Sequence, residues 1–268
     1  MAKFSTRLNQ AISARGPICV GIDPSESELG NWDLPDSATG AREYGLHLID
    51  AAYDRIGIVK PQVGFFERFG SLGYQALEEV ITTAREAGLL VIADAKRGDI
   101  GSTMLGYAQA WFGDDSPLRS DALTVSGYLG PSSLRETLDY AMDVQAGLFL
   151  LAATSNPEAG ELQKASIAGA TVSKRAIELA LEIGTGEVGV VIGATQKLEE
   201  FGIEFIRESD IGLPILSPGF GAQGAKLEDV QELFGQSAKR VIPSLSREIT
   251  KGGPSKVGSN IDKAKEKL

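Results

Sequence analysis

The chain is punctuated by eight short apolar runs, at 17–23, 56–66, 89–96, 121–128, 147–154, 187–195, 213–219 and 240–246. Each is a near-continuous stretch rich in Val, Ile and Leu, as in PICVGID or EVGVVIGAT, with no clean alternation of apolar and polar residues. Such runs suit parallel strands that are covered on both faces. Helical patterns fill the spaces between them. In SLGYQALEEVITTAREAG, Leu72, Ala76, Leu77, Val80, Ile81 and Ala84 recur at helical spacing, and Gly88 stands where a glycine ends a helix. PSSLRETLDYAMDVQAG opens on Pro131 and closes on Gly147, which reads as a second helix with similar start and stop signals.

Successive runs start about 25 to 40 residues apart, which matches a βαβ unit of roughly 30 residues. Eight units predict an α/β fold, a (β/α)8 TIM barrel, as a single domain over 1–268. A short N-terminal helix precedes it, and a polar C-terminal tail carries a last surface helix. A doubly wound open sheet is the alternative. The length of 268 residues fits a barrel, which commonly takes roughly 250.

Composition narrows the partners. Hydrophobic residues make up 43% of the chain, ample for a large core, and the formal charge is −10. An acidic chain is poorly suited to non-specific binding of nucleic acid or an anionic membrane. A negatively charged ligand must be met by local cations or helix N-termini. With one cysteine, Cys19, and one histidine, His47, neither an intrachain disulfide nor a histidine or Cys-x-x-Cys zinc cluster is available. MAKFSTRLNQAISARG has no signal-peptide core, and no run reaches the about 18 apolar residues of a membrane helix. The expectation is a soluble cytoplasmic protein.

In such a barrel the chemistry sits where strands end in loops at the C-terminal face. Asp23 ends the first run, Lys60 interrupts the second, and Asp94 and Lys96 end the third with Asp99 just beyond. Strand alternation points Asp94 and Lys96 one way and Ala95 and Arg97 the other. A solvated charged turn is the bland reading of IADAKRGDIGS. Convergence of two lysines and three carboxylates on one mouth favours a site. A lysine bracketed by carboxylates is favoured in its charged form, so Lys96 reads as a proton donor and electrostatic partner, not a Schiff-base nucleophile.

After the seventh run, SPGFGAQGAK spells G-x-G-x-x-G at Gly219, Gly221 and Gly224. A dinucleotide fingerprint would more typically open a fold. Here the glycines read as a phosphate cradle after strand seven, with Gln223 as a side-chain donor and Arg247 at a helix start after strand eight. Thr154, Ser155 and Asn156 end the fifth run, where they either read an amide-like edge such as a pyrimidine's or cap the next helix. His47 reads as structural, Cys19 as a core residue, and Trp111 and Phe112 as core or interface aromatics.

The D-x-K-x-x-D element at Asp94, Lys96 and Asp99, with Ile100 and Thr103 after it, resembles the signature of the orotidine 5′-phosphate decarboxylase family. Asp23, Lys60, TSN at 154–156, SPGFGAQG at 217–224 and the SRE containing Arg247 fit in order. The wording DAKRGDIGST and TSNP is similar to the longer, mainly bacterial type 2 subfamily. LSRE and TVSGYLG depart slightly from its usual wording, and the second departure leaves that loop's role unassigned. The resemblance implies decarboxylation of orotidine 5′-monophosphate to UMP, the last step of de novo pyrimidine synthesis, with no cofactor and no metal. It implies that Lys96 protonates C6, that Asp94 sits beside the substrate carboxylate, and that Asp23 and Lys60 hold the ribose. Ser155 would read the pyrimidine, and Gln223 and Arg247 would grip the phosphate. Ile100, Pro218 and Gly219 join the substrate-binding set. A homodimer is implied, with Asp99 and Thr103 completing the partner's site.

Two rivals stand beside this reading. A keto-sugar-phosphate barrel enzyme shares the D-x-K-x-x-D element but depends on magnesium. A pyrimidine-nucleotide sensor without turnover would be marked by loss of Lys96 or an aspartate, and all three residues are present.

Overall fold

Eight parallel strands close on themselves in this computed structural model, which describes residues 2–183 and 186–268. In chain order the strands are β1 (Cys19–Ile22), β2 (Ile58–Pro61), β3 (Leu90–Arg97), β4 (Ala122–Val125), β5 (Gly147–Ala153), β6 (Ser166–Ile167), β7 (Ala170–Thr171), β8 (Val188–Ile192), β9 (Ile215–Pro218) and β10 (Val241–Leu245). β6 and β7 form a separate antiparallel hairpin, and the other eight make the barrel, with β1 closing against β10. The eight-unit barrel expected from the apolar runs is the fold observed.

The strands read as continuous apolar runs because both faces are buried. One set of side chains, including Cys19, Ile58, Ile92, Ala122, Phe149 and Ile242, packs inside the barrel. The alternate set, including Val20, Val59, Val91, Leu123 and Val190, packs in the large core with the helices. Continuing the inward rows toward the C-terminal ends replaces apolar residues by polar ones: Ile58 leads to Lys60, Ile92 to Asp94, and Ala122 to Thr124. The barrel interior is therefore dry at one end and charged at the other.

The helix Phe4–Arg15 closes the dry end. Phe4 is fully buried and meets Phe149 edge-on, with ring centroids 6.1 Å apart. Arg7 pairs with Asp121 and donates to the Gln145 carbonyl at 3.0 Å, while the Ser5 hydroxyl donates to Glu187 at 2.6 Å.

Helix punctuation follows the sequence in one case and corrects it in another. The helix Gly70–Glu86 buries Ala76, Leu77, Val80, Ile81 and Ala84 as expected, but Leu72 is exposed. Gly88, at φ +73°, ends the helix by donating to the Arg85 carbonyl while Leu89 donates to that of Ala84. The second helix begins as the 3-10 turn Pro131–Leu134 and continues over Arg135–Asp143. Its left-handed stop is Gln145, at φ +61°, not Gly147. Gly147 opens β5, where a Cβ would stand 2.3 Å from the Phe4 ring, so the glycine serves packing and not termination. The C-terminal helix Val257–Lys265 is present and buries Val257, Ile261 and Ala264. Cys19, Trp111 and Phe112 are buried in the core, and His47 lies exposed on the helix Ala38–Ala52 at the edge of Trp32. Among the described residues no helix is long and apolar enough to cross a membrane.

Candidate active site

Four side chains converge on one buried carboxylate. Lys60 Nζ donates to Asp94 Oδ2 at 2.8 Å and Lys96 Nζ to Asp94 Oδ1 at 2.7 Å. Gln62 Nε2 reaches Oδ2 at 2.9 Å and Thr124 Oγ1 reaches Oδ1 at 3.0 Å. Burial alone would push the Asp94 carboxyl up. The two ammonium groups outweigh it and hold the acid well below the usual carboxylate range. Burial likewise works against the Lys60 charge, but Asp94 and Asp23 overcome it and hold that lysine above its ordinary range. Beneath them, burial pushes the Cys19 thiol up to about 12, with Lys60 opposing, so Cys19 is inert. Asp23 lines the same space with a buried Oδ1 that has no partner among the described residues.

Lys96 reaches Asp94 by a route that simple alternation misses. Between the pairs Ala93–Leu123 and Arg97–Val125, β3 advances four residues and β4 only two. Within this bulge Lys96 adopts φ +48°, a conformation that costs a side-chain-bearing residue about 1–3 kcal/mol. The Lys96 N–H is held by Thr124 Oγ1 at 2.9 Å. Gly98 lets the chain pass Ser126, whose carbonyl would lie 2.7 Å from a Cβ there. Arg97 turns outward as expected, donating to Glu67 at 3.0 Å.

A cavity of about 530 Å³ opens above this array. Asp23, Lys60, Asp94, Lys96, Ser155, Pro218, Gly219, Gln223 and Arg247 all line it. Asp99, Ile100 and Thr103 do not. They lie at the start of the helix Gly101–Phe112, with Asp99 half-buried and Ile100 and Thr103 exposed.

The loop after β9 is a tight turn and not a dinucleotide motif. Gly219, Gly221 and Gly224 take φ +111°, +72° and +110°. The amide of Gly221 donates to the Ala225 carbonyl at 2.8 Å, and that of Gly224 to the Gly221 carbonyl at 2.9 Å, so neither amide is free to cradle an anion. Gln223 and Arg247 also bring side-chain donors to the cavity here. Arg247 opens the short helix Arg247–Thr250, is exposed, and has no ion pair among the described residues.

At the end of β5, Thr154 and Asn156 bond to each other at 2.7 Å. Neither Ser155 nor Asn156 caps the helix Ala159–Gln163 through its side chain. Gly193 lies against Ser155, whose Cα would be 2.9 Å from a Cβ at that position.

Gln62 and Thr124 were missed in the sequence. Thr124 shares the inward row of Ala122, and that parity was its one available signal. Gln62 lies beyond β2 and meets Asp94 through an isolated bridge, which no local pattern announces. Glu28 also lines the cavity, buried and accepting from the Thr250 hydroxyl at 2.5 Å.

Residues 16–258 match the model of the orotidine 5′-phosphate decarboxylase / HUMPS family. A Corynebacterium glutamicum protein named orotidine 5′-phosphate decarboxylase is 47% identical over 260 residues, 94% of this chain and 91% of its own. A Streptomyces coelicolor protein of the same name is 45% identical over 262 residues, 95% of this chain and 92% of its own. A crystallised Streptomyces avermitilis protein assigned the same activity superposes with a TM-score of 0.93 at 41% identity, covering 100% of this chain and 95% of its own. With a match over nearly the whole barrel and relatives of this identity along nearly their full length, the chain belongs to the orotidine 5′-phosphate decarboxylase / HUMPS family.

Proposed function

We propose that this protein converts orotidine 5′-monophosphate to UMP and CO₂ without a cofactor, with Lys96 protonating C6. One observation carries the reading. A buried carboxylate held between two lysines lies at one side of a cavity whose rim offers an unpaired arginine and a glutamine. The names and identity of the curated relatives support the same activity.

The C6–carboxylate bond breaks, CO₂ leaves, and the electron pair stays on C6. The Lys96 ammonium gives its proton to that carbon and is reprotonated from solvent, to which its side chain is 45% exposed. A fixed cation beside a carbon that gains negative charge stabilises the transition state more than the ground state. Fixing it beforehand is the work of Asp94, Gln62 and Thr124, and the bulge that aims Lys96 is part of that arrangement. Asp23 and Lys60 take the ribose, Ser155 the pyrimidine edge, and Gln223 and Arg247 the phosphate, with Pro218 and Gly219 completing the pocket, while Ile100 lies outside it beside Asp99. On the same reading the barrel acts as a cytoplasmic homodimer, in which Asp99 and Thr103 of one protomer reach the other's cavity. Their position outside their own cavity supports this.

The test follows pyrimidine absorbance on adding orotidine 5′-monophosphate with a chelator present, for the parent and Lys96→Ala. Turnover by the parent alone is expected. Activity abolished by the chelator would point instead to a magnesium-dependent keto-sugar-phosphate enzyme. UMP binding without turnover would point to a nucleotide sensor.

A further inference from the structure

Thr154 stands at the C-terminal end of β5 with its polar groups taken by side chains. Its N–H donates to Gln163 Oε1 at 2.8 Å, and Gln163 Nε2 returns a bond to Thr154 Oγ1 at 2.9 Å. From the opposite side, in the turn after β8, Gln196 Nε2 donates to the Thr154 carbonyl at 2.6 Å. Thr154 Oγ1 then donates onward to Asn156. The clamp is itself anchored to the barrel. The fully buried Ser173 hydroxyl bridges the Ala152 carbonyl at 2.7 Å and the Gln163 carbonyl at 3.1 Å. Gln196 closes its turn with an N–H bond to the Gly193 carbonyl at 3.1 Å, and Gly193 is the residue that backs Ser155.

Neither glutamine lines the cavity, whereas Thr154, Ser155 and Asn156 do. Two side chains, one at the end of the helix Ala159–Gln163 and one in the turn after β8, thus fix the residue before Ser155 at its donor, its acceptor and its hydroxyl. Ser155 itself is left without a side-chain partner among the described residues. A loop tip held this way loses little further freedom when a ligand arrives.

We propose that Gln163 and Gln196 are positioning residues that hold Ser155 for the pyrimidine base, so that they set how much affinity the base adds. The inference rests on the assignment of Ser155 to the pyrimidine edge. Its measure is the affinity for UMP relative to ribose 5-phosphate, which lacks the base. Gln163→Met and Gln196→Met remove the hydrogen bonds at similar volume. Each is expected to lower the ratio about tenfold, the scale of one lost hydrogen bond, and to leave ribose 5-phosphate affinity unchanged. Adding either substitution to Ser155→Ala should lower the ratio no further, because the glutamines act through that serine.

Calorimetric titration of both probes, with thermal melts alongside, decides the matter. A parent-like ratio in the folded variants overturns the proposal, as does an equal loss of both ligands, which marks a purely structural role. If Gln163→Met does not fold, Gln196→Met, on a half-buried surface turn, carries the test alone. A parent that binds the two ligands alike would remove the pyrimidine assignment itself, and the clamp with it.

Discussion

Asp94→Asn changes almost no volume, yet it is expected to destabilise the fold by about 3 kcal/mol at pH 7, toward the lower end of the cost of breaking a buried pair. The Lys60 and Asp94 side chains are each 9% exposed, so their pair is scarcely screened. Removal of the charge leaves the Lys60 ammonium buried, with the Asp23 carboxylate as partial compensation. Lys96 is 45% exposed, so its own pair with Asp94 adds no more than about 1 kcal/mol. Lys60→Met should cost about as much, since it leaves Asp94 only the solvent-exposed and more screened Lys96 as its ion pair. The double variant strands neither charge, and its penalty should fall short of the sum by about 2 kcal/mol. Urea unfolding at fixed protein concentration, followed by fluorescence of the buried Trp32 and Trp111, measures all four proteins.

The pH dependence carries a second check. The folded Asp94 carboxyl is depressed, so its contribution is complete above an unfolded value of about 3.9 and is lost as pH falls toward the folded one. The folded Lys60 ammonium is raised, so its contribution is complete below about 10.4 and is lost as pH rises through the folded value. The gap between parent and Asp94→Asn should be flat from about pH 5 to 9 and shrink below about pH 4. Strictly additive single penalties, or a gap undiminished at pH 3, would refute the coupling of these two charges.

Other perturbations separate the parts of the cavity. Arg247→Ala should weaken UMP about 10- to 100-fold and leave uridine, which lacks the phosphate, unaffected, as titration of both ligands will show. Gly193→Ala places a Cβ 2.9 Å from Ser155 Cα, which must shift, and should raise KM about tenfold and lower Tm, seen in steady-state kinetics and a thermal melt. Gly147→Ala drives a Cβ to 2.3 Å from the Phe4 ring and should cost about 1–3 kcal/mol in urea unfolding. That cost should largely vanish in a Phe4→Ala background, where the ring is gone.

The chain's own pattern determined the architecture. Two-sided burial writes continuous apolar runs, βαβ units have a narrow range of lengths, and a barrel puts its chemistry where strands meet loops. Asp23, Lys60, Asp94 and Lys96 were legible because charged residues at the tips of apolar strands conflict with their surroundings. Gly88 was legible because a helix stop is a local event.

Tertiary structure decided everything that depends on a neighbour far along the chain. Which groups share Asp94 is settled by the pairing of β3 with β2 and β4, which brings Gln62 and Thr124 to a carboxylate 32 and 30 residues away. The aim of Lys96 comes from a bulge defined by its pairing with β4, so strand parity reached the right facing for an incomplete reason. Gly147 resembled a helix stop until Phe4, packed against it from the N-terminal helix far back along the chain, showed what its missing side chain makes room for. Local propensity is written in a few adjacent residues. Register, close approach and shared hydrogen bonds exist only between segments, and the fold alone brings those together.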